Sequence, residues 1–104
     1  MKTFNDLEFK EHPAGDEYGI TSRIQFDNGY GVSVVTGLYT YGGPDGLYEL
    51  AVIDSNGEIC YTTSITNDVI GYLRHEDVTD VMAKVQQLPK SDNDPRLFED
   101  GFLA

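Results

Sequence analysis

The stretch Ile20-Thr21-Ser22-Arg23-Ile24-Gln25-Phe26-Asp27-Asn28-Gly29-Tyr30-Gly31-Val32-Ser33-Val34-Val35 decides the fold of this chain. Its first half alternates: Ile20, Ile24 and Phe26 point one way, Thr21, Arg23, Gln25 and Asp27 the other, and Ser22 is a polar lapse on the apolar side. A period of two marks a half-buried strand. Asp27-Asn28-Gly29 then reverses the chain, and the kind of turn sets the register. A two-residue turn would put Ile24 and Phe26 on the face of Gly31 and Ser33 and mix polar with apolar on both sides. A three-residue turn with Gly29 in a left-handed bulge sets Phe26 opposite Tyr30 and Ile24 opposite Val32, so that Ile20, Ile24, Phe26, Tyr30, Val32 and Val34 share one face. A slip of one residue inverts every side chain of a strand, so the pattern selects the bulged turn.

Further along, Leu47 to Asp54 is apolar at nearly every position, with Leu47, Ala51 and Ile53 on one face, Tyr48, Leu50 and Val52 on the other, and Glu49 as the exception. This reads as a central strand covered in part on both sides. Ser55-Asn56-Gly57 forms a second tight turn and Glu58 to Thr62 returns as a strand, which extends an antiparallel meander. Gly37 to Gly46 is a flexible connection that carries two tyrosines and a Pro44-Asp45-Gly46 turn. Upstream, Leu7 to Lys10 reads as a short strand or extended lead-in before a polar loop at His12 to Glu17.

Thr66 or Asn67 can cap a short helical turn over Asp68-Val69-Ile70, which Gly71 ends. A longer helix spans residues 75 to 88: Glu76 and Asp77 suit its first turn, and Val78, Val81, Met82, Val85 and Leu88 form one apolar stripe, stopped by Pro89. The expected fold is α+β, an antiparallel meander of four to five strands with one C-terminal amphipathic helix packed on one face. Residues 1–89 form the domain and residues 90–104 an acidic tail, in which Leu97, Phe98, Phe102 and Leu103 stand among acids. That tail either folds back over the sheet or binds a partner.

At 104 residues the chain is large enough for one core without a disulfide or metal staple. Its 39% apolar and 12% aromatic content supplies a packed interior. The single cysteine, Cys60, permits no intramolecular disulfide and suits a reducing cytoplasm. No apolar run reaches the length of a membrane helix and the first residues lack a signal-peptide core, so a soluble chain is expected. Seven Lys and Arg against 18 Asp and Glu give a net charge of −11, which argues against direct contact with nucleic acid or an anionic membrane. Eight acids (Asp45, Glu49, Asp54, Glu58, Asp68, Glu76, Asp77 and Asp80) and one base, Arg74, lie between Asp45 and Asp80. Such a face either keeps the protein soluble or meets a basic partner.

Catalytic patterns are weak. Nucleophilic use of Cys60 needs a nearby histidine, and His12 and His75 are the only two. Cys60 lies in an apolar strand and reads as an inert core thiol. Asp54-Ser55-Asn56-Gly57-Glu58 begins like a calcium loop, but its glycine comes too early and no glutamate stands at the twelfth position. The glycines at 37, 42, 43 and 46 lack the Lys-Ser/Thr of a phosphate loop. No cofactor and no metal ligand set is expected. The better candidates are Tyr39 and Tyr41 beside Tyr48, because exposed tyrosines give large contact area at modest entropic cost. With the acids Asp45, Glu49, Glu58, Glu76 and Asp77 they make the candidate binding set.

Asn28-Gly29-Tyr30-Gly31-Val32-Ser33-Val34-Val35, Tyr39-Thr40-Tyr41-Gly42-Gly43, Gly46-Leu47-Tyr48-Glu49-Leu50-Ala51-Val52, Cys60-Tyr61-Thr62-Thr63 and Asp68-Val69-Ile70-Gly71-Tyr72-Leu73 give the chain a resemblance. Over about residues 19 to 88 it resembles a group of small proteins encoded by tailed bacteriophages. The resemblance implies a phage-encoded protein active in the host bacterial cytoplasm and supplies no catalytic residue. Three expectations remain open: a non-enzymatic accessory protein that presents an acidic surface to a host protein, such as a nucleic-acid-binding or defence factor; a structural or assembly protein that self-associates through its sheet, for instance as a homodimer; and a carboxylate-based, metal-dependent enzyme.

Overall fold

Pairing begins at the bulged turn. In the computed structural model, which describes residues 1–60, 63, 65 and 69–90, β2 (Ile20–Gln25) and β3 (Gly31–Thr36) pair antiparallel with Ile24 opposite Val32. The Phe26 N–H donates to Tyr30 O at 2.7 Å, and Gly29 closes the turn at φ +87°. This is the three-residue bulged turn, and it sets the register that buries Val32 and Val34 completely. The apolar face differs from expectation at one end. Ser22, opposite Val34, is buried in the core, whereas Ile20 lies at the far end of β2 and is exposed.

β4 (Tyr48–Ile53) pairs with β3, and the five strands run in the order β1-β2-β3-β4-β5, all neighbours antiparallel. β1 (Lys10–Glu11) begins where the lead-in was expected to end; ahead of it Phe4–Asp6 makes one turn of 3₁₀ helix that packs Phe4 and Leu7 on the core. Of the return expected at Glu58 to Thr62, the structure describes Glu58 to Cys60. A bridge pairs Ile53 with Ile59 and the Cys60 N–H donates to Val52 O at 2.8 Å, while residues 61 and 62 lie outside the described set. The fifth strand is instead β5 (Ile70–Leu73), where a helical turn ended by Gly71 was expected. Ile70 and Leu73 both reach the core, which outweighs the local turn chemistry.

α1 (His75–Gln86) closes the core over one sheet face. Val78, Met82 and Val85 are fully buried against Val32, Val34, Leu50, Val52 and Leu73. On the opposite face of β4, Ala51 and Ile53 are also buried, so this strand is covered on both sides. Two side chains tie the helix to distant segments. Asn28 Nδ2 donates to Val85 O at 2.8 Å and to Leu88 O at 3.1 Å, which satisfies carbonyls at the helix end. Gln86 exchanges hydrogen bonds with the backbone of Lys2, at 2.8 Å each way.

Candidate functional site

The connection from β3 to β4 is folded on itself. Thr40 Oγ1 accepts the Gly37 N–H at 3.0 Å and donates to Gly37 O at 3.1 Å, and the Gly43 N–H donates to Thr40 O at 3.1 Å. A 3₁₀ turn over Gly43–Asp45 follows, with Gly42 at φ +90° and Gly46 at φ +78° on either side. A Cβ at residue 43 would collide with Gly37 O, so glycine is required there by close backbone approach. The loop expected to be flexible is thus held by its own hydrogen bonds.

It also locks onto β5. Gly71 and Tyr72 stand opposite one residue, Glu49, between the pairs Tyr48–Leu73 and Leu50–Ile70, which makes a bulge. Tyr72 takes up the extra length with φ +58°, a left-handed conformation that costs a bulky side chain about 1–2 kcal/mol. Its N–H donates to Tyr41 O at 3.0 Å, and a Cβ on residue 71 would strike Tyr41 Cβ. Loop and bulge therefore fix each other.

The outcome is a set of tyrosines on hydrogen-bonded backbone and turned to solvent: Tyr39 is 70% exposed, Tyr72 63% and Tyr41 60%. Leu38 is exposed beside them, and the Tyr18 ring centroid lies 5.2 Å from that of Tyr39. Asp45 and Glu17 are exposed acids of the segments that carry Tyr41 and Tyr18. Sequence reasoning found Tyr39, Tyr41 and Asp45 but passed over Tyr18, Leu38 and Tyr72. The Gly71-Tyr72 pair, a glycine ahead of an aromatic between two apolar residues, is the signal that marks a bulge.

The remaining candidates belong to other elements. Tyr48 is half-buried, with its ring centroid 5.2 Å from Phe4, 5.6 Å from Phe9 and 5.3 Å from His75, in an aromatic cluster under the N-terminal segment. Glu49 sits opposite Val35, and its neighbours Tyr48 and Leu50 take the helix side of β4. Glu58 lies past the other end of β4, where its N–H donates to Asp54 Oδ1 at 3.0 Å. Glu76 and Asp77 occupy the first turn of α1, within 3.3 Å and 3.0 Å of the Arg74 guanidinium. Hydrogen bonds from the Arg74 side chain and from the Arg74 N–H hold the Asp77 carboxyl below the ordinary carboxylate range, and Asp77 in turn raises Arg74. These acids occupy different elements, and Glu49 stands opposite the Gly71–Tyr72 bulge.

Cys60 is half-buried and packs against the core. His12 Nδ1 accepts the Ala14 N–H at 3.1 Å, and the His75 ring stacks on Phe4 with centroids 4.2 Å apart. Asp54 Oδ1 accepts the N–H groups of Asn56 and Glu58, which is the work of a turn residue. Among the described residues no three His, Cys, Asp or Glu side chains are grouped to hold a metal ion, and no helix is long and apolar enough to cross a membrane. No family model matches the chain, and no curated protein or solved structure matches it.

Proposed function

We propose that this chain is a non-enzymatic protein-binding module that docks its partner through Tyr39, Tyr41 and Tyr72, with Leu38 and Tyr18 beside them. The observation that carries this reading is Tyr72, an exposed aromatic held in a left-handed backbone conformation by the loop that also presents Tyr39 and Tyr41. Strain of this kind persists where the surroundings enforce it and clusters at binding sites. Aromatic anchors on rigid backbone lose little entropy on association. Asp45 and Glu17 border the surface, and the chain carries −11 overall, so the partner is one with a basic rim. In the phage setting that the sequence resemblance implies, that partner is a host protein.

Self-association through the sheet is less well served. β1 is two residues long and β5 is kinked by its bulge, and short or bulged edges disfavour strand addition. The test is affinity capture from bacterial lysate with the wild-type chain and with Tyr39→Ala/Tyr41→Ala, alongside light scattering of both. A partner retained by the wild type, lost by the double variant and released by added salt is the expected result. Identical captured proteins for both chains, or a wild-type homodimer that the double variant breaks with no other partner, would overturn the reading.

A further inference from the structure

A second site lies on the sheet face away from the helix. Here β1, β2 and β3 place Lys10 opposite Thr21, Thr21 opposite Val35, and Arg23 opposite Ser33. These residues, with His12, Pro13, Phe9 and Glu8, line a groove of about 730 Å³. That volume falls in the range of small-molecule sites, roughly 300–1,000 Å³.

The charge in this groove runs against the rest of the chain. Acids outnumber bases 18 to 7, yet Lys10 and Arg23 line one cavity together against a single acid, Glu8. Among the described residues neither has a carboxylate within salt-bridge distance, whereas Arg74 has two. Arg23 spends one N–H on Gly57 O at 3.0 Å, out of the five donors a guanidinium carries. Thr21 stands beside Lys10 across the strands and Ser33 beside Arg23, and the hydroxyls of both can donate to an acceptor. Cations and hydroxyl donors converging on one concavity match an oxyanion, and Val35 and Pro13 supply an apolar wall for the body that carries it.

We propose that this groove binds a small organic oxyanion, a carboxylate or phosphate on a compact apolar group, held by Lys10 and Arg23 and seated on Thr21 and Ser33. This site is separate from the tyrosine surface and stands whether or not that surface docks a protein. Binding draws on a few exposed charges, so it is in the millimolar range and weakens with salt.

The experiment is an amide NMR titration of the full ¹⁵N-labelled chain at low salt with phenylacetate, phenyl phosphate and inorganic phosphate as probes. The expected result is saturable shifts at Thr21, Arg23, Ser33 and Val35 for at least one organic probe, with affinity reduced about tenfold in Lys10→Gln and in Arg23→Gln. The tighter of the two organic probes identifies the head group. Lys10→Gln is the safer variant, because Lys10 sits on a two-residue edge strand with no side-chain partner among the described residues; its unfolding midpoint should equal the wild type's. No saturable shift with any probe up to roughly 20 mM would overturn the proposal. So would shifts of equal affinity in Lys10→Gln, or shifts confined to residues outside the groove.

Discussion

Replacing Asn28 tests whether the bulged turn also serves as the clamp for α1. Its side chain makes three hydrogen bonds: Nδ2 to Val85 O at 2.8 Å and to Leu88 O at 3.1 Å, and Oδ1 from the Tyr30 N–H at 3.1 Å. All three are partly buried. A net hydrogen bond contributes about 0.5–1.5 kcal/mol, and water reaches part of what truncation exposes, so Asn28→Ala should cost about 2 kcal/mol. In a domain of this size that lowers the melting temperature by roughly 8–16 °C. Asn28→Asp should be worse than Asn28→Ala. It keeps the acceptor for Tyr30 but turns a carboxylate toward two helix carbonyls at the negative end of the helix dipole, adding about 0.5–1 kcal/mol of cost.

Urea unfolding at neutral pH, with an unchanged dependence on denaturant, measures all three chains. The expected order is wild type, then Asn28→Ala, then Asn28→Asp. A loss below about 0.5 kcal/mol for Asn28→Ala, or an Asn28→Asp chain more stable than Asn28→Ala, would refute the clamp.

Tyr72→Gly should be more stable than Tyr72→Ala by about 1 kcal/mol, since both remove the ring but only glycine relieves the left-handed backbone; equal unfolding midpoints would count against the strain. Met82→Ala should cost about 2–5 kcal/mol, because Met82 is fully buried between the helix and the sheet, and urea unfolding reads the loss directly. Asp77 should make stability depend on acid. The Arg74 hydrogen bonds hold its carboxyl below the ordinary carboxylate range, so its contribution is present above that range and lost as pH falls through the lower folded value. Melting temperatures between about pH 5 and pH 2 should therefore fall more steeply for the wild type than for Asp77→Asn.

The parts of the fold that could be read in the chain are those where local chemistry and burial agree. At Asp27-Asn28-Gly29, turn preference and the apolar alternation of both strands point to one register, and Ile24 stands opposite Val32 as that register requires. The stripe from Val78 to Leu88 likewise carries its own period. Where local and distant terms disagree, the distant ones decide. Gly71 looks like a helix stop in isolation, yet it belongs to a strand because Ile70 and Leu73 gain the core and the Tyr72 N–H finds Tyr41 O. Ser22 looks like a lapse, yet its place opposite Val34 carries it inside.

The same distinction explains what could be seen of the candidate sites. Tyr39 and Tyr41 are neighbours in sequence and could be found by eye, whereas Tyr72 joins them only through a bulge closed by a loop some thirty residues earlier. The groove is harder still. Lys10 and Arg23 belong to different strands, and neither stands out in a chain whose composition is dominated by acid. They meet because alternation sends Lys10, Thr21, Arg23, Ser33 and Val35 to the face the helix leaves open. The register that buries Val32 and Val34 under α1 is thus the one that gathers the cations on the other side. A chain with the two-residue turn would lose the core and the groove together.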